Sequence, residues 1–323
     1  MSDREEKTGK NDNGKKNKGG KRNKIVAIEM IILVLLIMAA VAIFIQRDKS
    51  VKEAAKIHNQ KAKKTEQTPQ AVQKENEIEE ETEGTEEETG DRDASVPDRS
   101  NFAVQPGVSV GTTEQSDEKI VYLTLDDGPS DNTQAVLDIL DKYNAKATFF
   151  VTGEMPEYKD MIKAAYDKGH TIGMHTYSHD YAKVYASVDA YFQDLDQIGQ
   201  MVQEEIGYVP CFIRFPGGSS NTVSKKYTAG IMSTLVQEVQ NRGYQYYDWN
   251  GSSGDGSVRT TEELVAQATS FDSNNIILLC HDSHGKQTTV EALPQIIEHY
   301  QSLGYTFKAL DRDSFVAHHG VNN

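Results

Sequence analysis

Asp126-Asp127, His175-x-x-x-His179, Arg214, Asp255 and His281-Asp282 are the residues whose types and spacing could do chemistry. Two imidazoles at i and i+4 fall on one face if the segment takes a helical turn, and Asp126 or Asp127 adds a carboxylate. The resulting His, His, Asp set leaves coordination positions open for water and substrate. Such a three-ligand set is catalytic in type, because structural zinc is closed by four protein ligands. With a divalent cation bound, one aspartate is held as a ligand while its neighbour takes the proton from bound water, whose acidity the cation has increased. The plain alternative is that Asp-Asp-Gly-Pro is a turn ahead of a helix capped at Ser130 or Asn132, and that H-x-x-x-H is a chance spacing. Cys211 and Cys280 are the only cysteines and have no C-x-x-C spacing, so metal ligands must be His and carboxylate. Free buried thiols are expected, since pairing would need their α-carbons within about 7 Å.

These residues fall at the ends of β-rich runs. Strand-like segments occupy 120–125, 147–151, 170–174, 211–215, 244–248, 275–280 and 305–308. Helical spacing recurs over 132–143, 155–168, 187–206, 223–242, 261–270 and 288–303, and several of these segments close on Gly. Strand-helix alternation predicts parallel strands joined by crossovers, either a barrel or a doubly wound sheet. The candidate residues follow the carboxyl ends of the first, third, fourth, fifth and sixth strands, with Asp255 assigned to the fifth. In a parallel barrel those ends share one face, where active sites are built. No G-x-G-x-x-G or G-x-x-x-x-G-K motif supports a nucleotide site.

Taken in order, Thr124-Leu125-Asp126-Asp127-Gly128-Pro129, His175-Thr176-Tyr177-Ser178-His179, Arg214-Phe215-Pro216-Gly217-Gly218 and Leu279-Cys280-His281-Asp282 resemble the motif series of the NodB-like polysaccharide deacetylases, carbohydrate esterase family four. The resemblance covers roughly residues 119–315. It implies an α/β fold, a distorted (β/α)7 TIM-like barrel over 119–318. It also implies that Asp127, His175 and His179 bind a divalent metal, zinc ahead of cobalt or another ion, and that Asp126 is the general base. Arg214 would hold Asp126 ionised and oriented, and His281 would protonate the leaving amine. The Gly217 backbone N–H would serve the oxyanion and Leu279 the acetyl methyl, although Leu279 reads equally as strand core.

Two positions depart from the family pattern. An aromatic residue is usual where Gly217 stands, so one substrate-stacking ring is absent. The fourth motif commonly ends in Asp-Trp, but the nearest match here is Asp255-Gly256, leaving Asp255 to orient and charge-tune His281. Trp249 reads either as a site neighbour or as barrel filling, and His284 is near enough in sequence to rim the site.

Upstream, residues 1–24 form a basic tail and residues 25–45 an apolar run of 21 with Glu29 as its only charge, long enough to span a bilayer. A cleavable secretory signal competes through Ala40-Val41-Ala42, but the run continues beyond it. Seven Lys/Arg in 10–24 against four in 46–60 orient the amino terminus to the cytoplasm. Residues 46–118, with nine Glu in 75–88, read as a disordered acidic stalk. A net charge of -15 argues against a nucleic-acid partner, and no protein partner is expected. The whole reads as a membrane-anchored extracellular enzyme that removes N-acetyl groups from cell-wall polysaccharide, peptidoglycan N-acetylglucosamine foremost. The competing readings are an O-acetyl esterase on xylan or another glycan, a His-His-Asp iron oxygenase, and a non-catalytic wall-binding module.

Overall fold

The computed structural model describes residues 99–323. The basic tail, the apolar run 25–45 and most of the expected stalk lie outside the described residues. Among those described, no helix is long and apolar enough to cross a membrane.

Strand-helix alternation is realised as a parallel sheet wrapped by helices. The strands are β1 (Ile120–Asp126), β2 (Ala147–Val151), β3 (Thr171–Met174), β4 (Phe212–Ile213), β5 (Gln245–Tyr246), β6 (Gly251–Ser252), β7 (Asn275–His281) and β8 (Thr306–Phe307). Between them run α1 (Thr133–Lys142), α2 (Asp160–Asp167), α3 (Tyr181–Val184), α4 (Val188–Ile206), α5 (Ile231–Asn241), α6 (Thr261–Ala268) and α7 (Gln287–Ser302). Helix α4 shows why the periodicity is legible. Tyr191, Phe192, Leu195, Ile198, Met201 and Val202 bury one face, the Ser187 side chain accepts from Ala190 N at its start, and Gly207 ends it in the left-handed region at φ 89°.

The sheet order is β5-β4-β3-β2-β1-β7-β6, with every pairing parallel. Among the described residues β5 and β6 do not pair, so the expected distorted (β/α)7 barrel takes the form of an open half-barrel. The reason is strand length: β4, β5 and β6 hold two residues each, too few to carry a ladder around the gap. The seventh wall strand is not the expected 305–308 segment. That segment, β8, pairs only with the start of β1 (Ile120↔Thr306, Val121↔Phe307), below the point where β2 takes over at Leu123↔Ala147. The seventh strand is β6, a Gly-Ser pair without the β-branched or aromatic residues that mark a strand.

Side chains alternate across the wall. Val121, Leu123 and Leu125 of β1 face the helices, whereas Ile120 and Tyr122 join Phe150, Phe212, Tyr247 and Ile277 in an inner cluster. Residues 99–112, assigned above to the stalk, also belong to this body. Phe102 packs edge-on to Phe212 at 5.2 Å, Ala103 bridges to Pro210, and the Arg99 guanidinium stacks on Tyr166 and donates to the carbonyls of Tyr166 and His170. Two buried apolar positions, Phe102 and Val110, anchor a segment whose other residues are largely exposed.

Candidate active site

The same alternation sets the site. Asp126, His175, Arg214 and His281 share the strand parity of the inner cluster, so they stand on top of it at the carboxyl ends. Register places Asp126 of β1 directly opposite His281 of β7.

Arg214 is fully buried and fixed on every side. Its Nε donates to the Tyr247 carbonyl (2.9 Å), Nη1 to Thr124 Oγ1 and Asp126 Oδ1 (both 2.8 Å), and Nη2 to the Asp248 carbonyl (3.2 Å). The guanidinium lies 4.3 Å over the Phe150 ring and 5.7 Å from that of Trp249. Trp249 thus packs, partly buried, against the inner cluster and also neighbours Arg214. Asp126 is left with Oδ1 tied to Arg214 and Oδ2 facing His175 Nε2 at 3.8 Å.

The backbone turns sharply where the ligand set forms. Asp127, Thr176 and His179 have φ of 67°, 75° and 46°, a left-handed conformation that costs non-glycine residues energy and clusters at functional sites. The 175–179 segment is consequently a loop and not the helical turn supposed from H-x-x-x-H; α3 begins only at Tyr181. Asp194 of α4 holds that loop, accepting from the Tyr177 and Ser178 backbone N–H groups and from Ser178 Oγ. The other wall is held by Asp282, which is buried and pushed up to about 7 by that burial; its Oδ2 accepts from Thr133 Oγ1 at 2.6 Å. A Cβ on Gly128 would stand 2.3 Å from Asp282 Oδ1, so only glycine lets the Asp-Asp-Gly-Pro loop approach it.

Asp127, His175 and His179 each point one ligand atom inward, and those atoms lie within 4.8 Å of one another. Asp127 Oδ1 is buried without a hydrogen-bond partner, and both Nε2 atoms stand 3.4 Å from it, too long for good hydrogen bonds. His175 Nδ1 lies 2.8 Å from the Arg214 carbonyl, which fixes the ring so that the Nε2 lone pair faces the group. An orphaned carboxylate oxygen between two imidazole nitrogens fits a divalent cation, and the N/N/O donor set is one that zinc takes. Burial pushes Asp127 up, but His175, His179, His281 and Lys286 outweigh it and hold it below the usual range. Burial pushes the His175 imidazole down, toward the neutral form that ligates.

Across from this group, Asp255 sits behind His281. Its Oδ1 is 2.8 Å from His281 Nδ1, and Oδ2 accepts from the His281 backbone N–H and Thr289 Oγ1, each at 2.8 Å. Asp255 follows β6, not the fifth strand to which it was assigned, because the intervening Gly-Ser strand carries no sequence signal. Burial pushes the His281 imidazole down, yet the Asp255 hydrogen bond and charge, with Asp126 and Asp127 adding, prevail and raise it to about 9. His281 Nε2 faces Asp127 Oδ2 at 3.9 Å. Leu279 is 8 % exposed and lies on the inner face of β7 between Ile277 of the inner cluster and His281. Gly217 is exposed at φ 75° on the turn after Arg214. Every site residue expected from the sequence thus lies on one face. Thr289, Asp194, Asp248, which accepts from Ser219 and the His319 N–H, and Lys286, which donates to the Asp255 carbonyl, were not foreseen. Nothing local marks them, since each acts through a residue distant in sequence. His284 is exposed and paired with Asp131 at 3.1 Å, and both cysteines are free and buried.

Residues 113–236 match the sequence profile of the polysaccharide deacetylase family. A putative polysaccharide deacetylase of Bacillus subtilis is 30% identical over 217 residues, covering 64% of this chain and 72% of that relative. A peptidoglycan-N-acetylglucosamine deacetylase of Bacillus cereus is 29% identical over 226 residues, covering 65% of this chain and 78% of its own length. The crystal structure of the catalytic domain of peptidoglycan N-acetylglucosamine deacetylase from Eubacterium rectale superposes with a TM-score of 0.63 at 47% identity, covering 65% of this chain and 97% of that one.

Proposed function

Since the chain belongs to the polysaccharide deacetylase family, we propose that it is a metal-dependent hydrolase removing N-acetyl groups from cell-wall polysaccharide, with peptidoglycan N-acetylglucosamine as its substrate. The observation that carries this reading is the placement of one His-His-Asp group between a carboxylate fixed by a buried arginine and an imidazole fixed by a buried carboxylate. Amide hydrolysis needs such a pair, because water must lose a proton and the amine must gain one. Asp127, His175 and His179 would hold the cation, zinc by its ligand preference. Bound there, a divalent cation supplies Lewis acidity, acidifying water and polarising the acetyl carbonyl.

The chain's own groups do the rest. Arg214 occupies Asp126 Oδ1 and leaves Oδ2 free to take the proton from the attacking water. Asp255 holds His281 by Nδ1, which directs the proton at Nε2 to the leaving nitrogen. The Gly217 N–H faces the developing oxyanion, and Leu279 lines the space for the acetyl methyl. The named substrates of the Bacillus cereus and Eubacterium rectale relatives support peptidoglycan. The apolar run at 25–45, the Lys/Arg asymmetry around it and the acidic linker support a single-pass membrane anchor with the catalytic domain outside, facing the wall.

The test is acetate release from peptidoglycan and from acetylated xylan in parallel, with the protein stripped by a chelator and then reloaded with zinc. Zinc-dependent release from peptidoglycan is expected. Release from xylan alone would keep the hydrolase and overturn the substrate.

The pH dependence follows from the Asp255 pair. His281 is the acid only while protonated, so activity falls as pH rises through its value near 9. Asp255→Asn removes the largest upward contribution, and the alkaline limb of kcat/KM should move down by at least about one pH unit. A profile that stays in place would remove Asp255 from this role.

A further inference from the structure

The turn that carries the Gly217 N–H has no side chain of its own, yet the space beside it is filled. A Cβ built on Gly217 would stand 2.5 Å from Tyr181 Oη and 3.5 Å from Tyr181 Cζ. Tyr181 opens α3, two residues beyond His179, and Asp180 caps that turn by accepting from Ala182 N at 2.9 Å. The Tyr181 ring meets the His179 ring edge-on at 5.8 Å and the Tyr185 ring at 5.5 Å. Tyr185 in turn donates its hydroxyl to the Pro216 carbonyl at 2.8 Å, so the His179 loop and the Pro216-Gly217 turn are bolted together. The two tyrosines differ in one respect. The Tyr185 hydroxyl is buried and satisfied, whereas Tyr181 is half-buried and its hydroxyl makes no hydrogen bond to another described residue.

A phenol hydroxyl with no partner among the described residues, placed between a candidate metal ligand and the Gly217 turn, is available to donate to a molecule that occupies that gap. Phe at 181 would pack against His179 and Tyr185 equally well, so packing does not account for the hydroxyl. Donors placed where negative charge develops act strongly in a site walled by buried side chains. We propose that Tyr181 contacts the substrate, its hydroxyl donating to the acetyl oxygen beside the Gly217 N–H as that oxygen gains charge. This rests on the reading of the site as a deacetylase, and it adds a second donor from a different loop.

The test compares Tyr181→Phe with the parent protein in three measurements. Turnover is followed on peptidoglycan and on acetylated xylan, zinc content is measured in both proteins, and the zinc-loaded proteins are titrated with acetate by calorimetry. Loss of one such donor typically costs about a hundredfold in kcat. The expected result is a fall of that order in kcat with KM changed less than about threefold, because the interaction strengthens in the transition state. Zinc content should be unchanged, and acetate should bind about tenfold more weakly. Equal kcat and equal acetate affinity in the two proteins would overturn the proposal while leaving the deacetylase reading intact. If the parent acts on xylan and not on peptidoglycan, the substrate reading fails separately, and the loss on xylan still decides for or against Tyr181. Should neither glycan be turned over, the acetate titration decides alone.

Discussion

His175→Ala is expected to abolish zinc retention and to reduce acetate release by about a thousandfold or more, while the fold survives. The imidazole is buried, its Nδ1 is fixed on the Arg214 carbonyl, and its Nε2 is, with His179 Nε2, one of the two nitrogens among the described residues that face the orphaned Asp127 Oδ1. Alanine leaves His179 and Asp127, a pair too sparse to fix tetrahedral geometry. A cation of this kind contributes several kcal/mol to the transition state, and each 1.4 kcal/mol is about a factor of ten. Metal analysis after dialysis should read close to one zinc per chain for the parent and close to none for the variant. Chelator treatment should bring the parent to the variant's level, and added zinc should restore the parent alone. Full zinc and full activity in His175→Ala would remove the ligand assignment.

Asp126→Asn should separate the base from the ligands. The amide keeps the volume and presents an oxygen to Arg214 Nη1, now 2.8 Å from Oδ1, but it takes no proton. Loss of a positioned base costs about 10²- to 10⁴-fold, so kcat should fall by that factor with zinc content unchanged. Arg214 is wholly buried, and removing a partner from a buried pair destabilises by about 3–5 kcal/mol when the remaining charge is left bare. Asn retains the acceptor, and Thr124 Oγ1 and the carbonyls of Tyr247 and Asp248 still receive the guanidinium, so the unfolding midpoint should move little. Retention of zinc with loss of turnover would mark Asp126 as acting beside the metal. Loss of both would place it among the ligands instead.

That Asp126, His175, Arg214 and His281 belong to one site was legible in the sequence. Each sits at or just beyond the end of a run with β character, and the carboxyl ends of parallel strands share one face. Helix positions such as Val188–Ile206 were equally legible, because a buried face, a cap and a terminal glycine are written within twenty residues. Tertiary structure decided what local pattern does not encode. Whether the wall closes depends on strands of two residues meeting across the sheet, and they do not meet. The strand at Gly251–Ser252 exists because β7 offers it a partner, not because Gly and Ser favour extension. His175 and His179 converge through left-handed backbone at Thr176 and His179, in a loop whose Ser178 is held by an aspartate sixteen residues on, where spacing alone suggested a helix. Asp194, Thr289 and Tyr181 gain their roles from contacts between segments far apart in the chain. Periodicity is a property of neighbours, whereas closure, support and the filling of the gap at Gly217 depend on which distant surfaces the fold brings into contact.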